Sequence, residues 1–93
     1  MVFVIAYDLI SPNDQPEDYE RAIAAVKDGF RTWCHLQKSV WLVDSALSAS
    51  EIREYFKPSL RGKDVLFVAR LQGNWASWAL GQRRNQWLAD RSF

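Results

Sequence analysis

The run Val2-Phe3-Val4-Ile5-Ala6-Tyr7 constrains this chain more than any other segment. Six consecutive apolar residues, rich in β-branched and aromatic side chains, are too few for a globular helix and too unbroken for a strand with one face in water. They predict a central strand that needs cover on both sides. A chain of 93 residues has room for one core, because at this size only roughly 60–65% of the unfolded surface is buried. The cover must come from the same small domain or from a second chain.

Downstream, the pattern alternates between helix and strand. Asp14 and Glu17 form a capping-box-like pair with Pro16 in the first turn, and Tyr19, Ile23, Val26 and Phe30 recur at helical steps, with Gly29 as a plausible stop. Thr32 to Asp44 is rich in Trp, Val, Leu and Thr, and its polar break at Gln37-Lys38-Ser39 predicts a hairpin of two strands. Ser48 and Glu51 make a second capping box, ahead of a stripe of Ile52, Tyr55, Phe56 and Leu60 that Pro58 interrupts. Val65 to Leu71 reads as the last core strand. Beyond Gln72-Gly73-Asn74, Trp75, Trp78 and Trp87 mark a tail that Gly81 divides, which predicts a broken helix packed by its tryptophans.

The order βαββαβ predicts an α+β, ferredoxin-like sandwich: a four-stranded antiparallel sheet with both helices on one face. Residues 1–72 would form the core domain, and residues 73–93 a Trp-rich, helical C-terminal extension. The second sheet face is then open, so either the tail covers it or a partner does, and a homodimer is the favoured expectation. An RNA-recognition module shares the element order but needs exposed aromatic residues on its third strand, and Ser39 to Asp44 lacks that platform.

With 48% hydrophobic and 25% charged residues, the composition excludes disorder and low-complexity sequence. No apolar run approaches the ~20 residues of a membrane span, so no membrane association is expected and a cytoplasmic location is the default. Cys34 is the only cysteine and His35 the only histidine, which excludes an internal disulfide and a cysteine-built zinc site. The formal charge of +1 hides a polarity. From Met1 to Phe56 five basic residues face nine acids, net −4, whereas from Lys57 to Phe93 seven face two, net +5. If Lys57, Arg61, Lys63, Arg70, Arg83 and Arg84 converge, they make a nucleic-acid-binding surface for RNA or DNA; otherwise they are a solvated surface.

Asp8 stands where the buried strand meets solvent, a position suited either to hydrogen-bonding its own loop or to holding a divalent ion. One carboxylate is a poor Mg²⁺ site, but in an isologous dimer a residue near the two-fold axis meets its own copy. Tyr7-Asp8, Gln37-Lys38-Ser39-Val40-Trp41, Ser48 to Glu51 with Ile52 and Arg53, and Val65 to Leu71 together resemble the family of the small CRISPR-associated protein of type two, over about residues 1–72. The resemblance implies a ferredoxin-like dimer of a spacer-integration complex, with Asp8 as the Mg²⁺ ligand at the dimer axis supporting phosphodiester hydrolysis.

In place of that family's short fifth strand this chain has its Trp-rich tail, which is similar to that of a side group of uncharacterised bacterial proteins. A ribonuclease toxin of a toxin–antitoxin pair shares the strand-end carboxylate. Three functions are thus expected to compete: a Mg²⁺- or Mn²⁺-dependent endonuclease with Asp8 as catalytic and metal-binding residue, a non-catalytic scaffold bridging a larger protein partner, and the toxin.

Overall fold

The computed structural model describes residues 1–10 and 16–93. In chain order the elements are β1 (Val2–Asp8), α1 (Pro16–Gly29), β2 (Trp33–Gln37), β3 (Val40–Asp44), α2 (Ala49–Phe56), a 3₁₀ turn (Lys57–Ser59), β4 (Val65–Arg70) and α3 (Gln82–Ala89). The Asp14 half of the first capping pair lies outside the described residues. The second is complete: Ser48 Oγ accepts from the Glu51 amide at 3.2 Å, and the Glu51 carboxylate accepts from the Ser48 amide at 2.9 Å. The Ser48 amide, and after it the Ser48 hydroxyl, hold the Glu51 carboxyl below its ordinary pKa. Pro58 cannot continue α2, and the chain tightens there into the 3₁₀ turn.

All strand pairs are antiparallel, in the order β2-β3-β1-β4. The apolar first strand is therefore interior, as its sequence requires, while β2 and β4 are edges. This four-stranded α+β arrangement is compatible with a ferredoxin-like fold. The hairpin turns at Lys38-Ser39, and its register shifts between His35 and Gln37, so a bulge accompanies the turn.

Alternation along β1 divides the molecule into two layers. Phe3, Ile5 and Tyr7 point towards α1 and α2, where they bury Ala22, Val26, Phe30, Trp41, Val43, Ile52 and Phe56 in one cluster. Trp41 Nε1 donates to the Tyr7 hydroxyl at 3.1 Å inside this layer. Burial pushes the Tyr7 phenol above its ordinary pKa, against the lowering effect of that hydrogen bond. Gly29 ends α1, but not through a left-handed conformation, since the positive-φ glycines among the described residues are Gly62 and Gly81. Its role is close approach: a methyl group at Gly29 would overlap the Tyr55 ring of α2, whose hydroxyl donates to the Ala25 carbonyl at 2.7 Å.

The other side of the sheet carries Val2, Val4, Cys34 and Leu42, and the tail folds back over them with Leu71, Trp75, Leu80, Trp87 and Leu88. The tail is not a helix divided by Gly81. Residues 71–81 are irregular, and Gly81, at φ +93°, starts α3 instead of breaking it. Nor do all three tail tryptophans pack. Trp75 and Trp87 do, whereas Trp78 is 94% exposed on a segment where Ala79 takes φ +56°. That left-handed residue turns the backbone sharply beside a side chain that finds no apolar cover.

Candidate functional site

The tail covers only part of the second face. Val2 is buried, Val4 and Ala6 are half-buried, and Asp8 is exposed, so cover decreases steadily along the side chains that β1 directs to this face. The register sets Ala6 opposite Phe67 and Asp8 opposite Val65. Residues directly opposite in a ladder share a face, and Phe67 is 63% and Val65 51% exposed. The last strand is therefore not a core strand throughout. It is an edge whose Leu66 and Val68 pack inward on the helical layer while Val65 and Phe67 face water. Asp8 ends an exposed apolar patch.

Next to this patch lies a hollow of about 420 Å³ between sheet and tail, floored by Val4 and Leu42 and walled by Trp75 and Trp78. Asp64 Oδ1 accepts from the Ile10 amide at 2.9 Å and its Oδ2 from the Arg61 amide at 3.0 Å. These bonds fix the 61–64 turn against the segment that follows Asp8. Among the described residues no three His, Cys, Asp or Glu side chains gather where a metal ion could be held. At this end of the sheet the Asp64 carboxylate is taken up by two backbone amides, and the Asp8 carboxylate is exposed. That donor set suits Mg²⁺, which keeps several waters and takes one or two carboxylates, provided a second Asp8 arrives from another copy.

The six basic residues singled out in the sequence do not share a surface. Lys57 and Arg61 line a shallow hollow beside α2 together with Arg53. Their charges are engaged, since Lys57 Nζ lies 3.6 Å from Glu54 and Arg61 Nη1 lies 3.9 Å from Asp18. Arg53 and Lys57 hold the Glu54 carboxyl below its ordinary pKa, Arg53 more strongly. Lys63 is exposed in the turn before β4, and Arg70 is exposed at the far end of that strand. Arg83 and Arg84 belong to α3, and Arg84 Nε donates to the His35 carbonyl of β2 at 3.0 Å. The edge strands β2 and β4 are three interstrand spacings apart, roughly 14 Å. The cations therefore form separate groups on opposite edges.

Among the described residues His35 makes no hydrogen bond to a carboxylate, hydroxyl or thiol side chain. Its ring stacks on Trp41 with centroids 3.7 Å apart, and its Nε2 lies 3.1 Å from the Lys38 carbonyl, the contacts of a structural histidine. Cys34 is buried beneath the tail, and burial raises its thiol pKa against the lowering effect of Arg84. It is a small apolar filler, not a nucleophile. The grouping that sequence reasoning missed is at the β2 edge, where Trp33 and His35 meet Arg83, Arg84 and Trp87 around a hollow of about 700 Å³. About fifty residues separate its two halves, and the adjacent arginines in an otherwise weakly amphipathic tail were the one available signal.

No known protein-family model matches the chain. No helix among the described residues is long and apolar enough to cross a membrane.

Proposed function

We propose that this chain is a ferredoxin-like, nucleic-acid-associated homodimer, in which two copies meet through the uncovered part of the sheet and bring their Asp8 carboxylates together. The observation that carries this reading is the coincidence, on one face, of the exposed Val65 and Phe67 with the Asp8 strand end. An exposed apolar patch of this kind is poorly suited to open water. A two-fold axis near it would bury the apolar residues and double the carboxylate.

Asp8 from each copy would hold Mg²⁺ or Mn²⁺, with water filling the remaining positions. The metal, when bound, supplies an activated water and stabilises charge on a phosphodiester. The residues of the chain contribute position. The β1–β4 ladder fixes the height of Asp8, and the Asp64 carboxylate holds the Ile10 amide two residues beyond it. A nuclease assay of wild type beside Asp8→Asn, with and without EDTA, on RNA and DNA tests the reading. Hydrolysis that needs both the carboxylate and the metal is expected. Hydrolysis that survives both changes would exclude Asp8.

Trp78 favours a second reading, a scaffold that docks a larger protein. A tryptophan left 94% exposed beside a hollow of suitable size is the kind of residue that anchors protein interfaces. Capture of such a partner that is lost in Trp78→Ala and insensitive to Asp8→Asn would select the scaffold over the nuclease.

A further inference from the structure

The two edges of the sheet are finished differently. At β2 the tail closes the edge: α3 lies against that strand, and Arg84 Nε donates to the His35 carbonyl at 3.0 Å. At β4 the edge is open. The Leu71 amide donates to the Val2 carbonyl at 2.9 Å, which makes Leu71 and Val2 a hydrogen-bonded pair. Alternation along the antiparallel ladder then turns the N–H and C=O of Leu66, Val68 and Arg70 away from β1. These groups meet no hydrogen-bonding partner among the described residues. A row of this kind is a template for a further strand.

The α2 helix runs beside the open edge and leaves a groove. A hollow of about 590 Å³ separates Ala49, Ser50 and Arg53 from Leu66, Phe67 and Val68, and a second of about 350 Å³ continues from Arg53 and Leu66 to Lys57 and Arg61. Lys63 precedes the strand and Arg70 ends it. Residues 57–70 thus set four cations, Lys57, Arg61, Lys63 and Arg70, against one acid, Asp64, whose carboxylate accepts from two backbone amides. Two further carboxylates approach, and each serves two cations: Glu54 lies by Arg53 and Lys57, and Asp18 by Arg21 and Arg61. Positive charge is in excess along the groove.

We infer that the β4 edge binds an extended acidic segment of a partner protein, which adds a strand to the sheet. Its side chains alternate between faces. Those on the α2 side meet Arg53 and Lys57 and should be Asp or Glu, while those on the other side continue the row of Phe67 and should be apolar. A second copy of this edge does not fit, because pairing β4 with itself would bring like charges together. The inference goes beyond the Asp8 reading, which uses the face of the sheet and not its edge.

The test uses the full chain and a labelled seven-residue peptide that alternates glutamate with valine, followed by fluorescence anisotropy and by amide exchange in NMR spectra. Binding is expected to slow exchange at Leu66, Val68 and Arg70, whereas Phe67 and Ala69, already paired with β1, are slow in the free protein. Methylating the peptide's glutamate amides and its valine amides in turn should abolish binding in one series and spare it in the other, because only alternate residues of an added strand turn their amides to β4. Arg53→Glu should weaken binding about ten-fold, while Arg83→Glu, the same charge change on the β2 side, leaves it unaltered. Both positions are exposed, and unchanged urea midpoints verify that the variants fold. No binding at millimolar peptide, or equal loss in both methylated series, overturns the inference. Labelled oligouridylate that binds wild type but not Arg53→Glu, where the peptide does not bind, assigns the cations to phosphate and also overturns it.

Discussion

The two faces of the sheet are covered in different ways, and the contrast separates folding from function. On the helical face Ile5, Trp41, Val43, Ile52 and Phe56 are fully buried, and the Trp41 indole N–H within it is satisfied by the Tyr7 hydroxyl. On the other face an irregular segment and one short helix cover Val2, Cys34 and Leu42 but leave Val65, Phe67 and Asp8 in water. The first face is a core. The second is a surface that the tail partly occupies, with its exposed end meeting a carboxylate and its far edge meeting two arginines.

Substitutions should separate the faces. The largest effect is expected from Phe56→Ala, which removes a fully buried ring stacked on Tyr7 at 5.6 Å and should cost about 3–5 kcal/mol in urea denaturation. Tyr7→Phe comes next, at about 1–3 kcal/mol, because it leaves the buried Trp41 indole N–H without an acceptor. The same phenol carries a pH signature. A folded-state pKa raised above the unfolded value gives stability that is complete below about pH 10 and is lost as pH rises through the folded pKa. The wild-type midpoint should therefore fall in alkali more steeply than that of Tyr7→Phe. Tyr55, also raised by burial, retains part of the slope in both proteins.

Gly29→Ala should cost about 1–3 kcal/mol by overpacking against Tyr55. In the Tyr55→Leu background most of that penalty should vanish, which a double-mutant cycle measures. The smallest effect on stability is expected on the other face. Phe67→Ser, at an exposed edge position, should change the stability of the monomer by no more than about 0.5 kcal/mol. A large destabilisation there, measured under dissociating conditions, would mean that the two faces are not different in kind.

How much of this was legible in the sequence follows the range of the interactions. The strands, the hairpin and the Ser48–Glu51 cap rest on local pattern, and the apolar first strand specified its own central place because both its faces need cover. Gly29 was legible as a helix end but not as a contact, since Tyr55 reaches it from another helix. The tail was least legible. Its three tryptophans have the same composition-level meaning, yet Trp75 and Trp87 pack while Trp78 does not, because an irregular backbone decides which way each side chain faces. The six cations carried a genuine charge bias, but a sheet four strands wide places them on opposite edges.

The pairing of two Asp8 strand ends is tested most directly by sedimentation equilibrium of wild type and Phe67→Asp at micromolar concentration. The expected result is twice the 10.8 kDa chain mass for wild type and a single chain mass for Phe67→Asp, which places a like charge opposite its copy while leaving the helical core intact. A wild type that sediments as a monomer, with or without Mg²⁺, would contradict the shared carboxylate site.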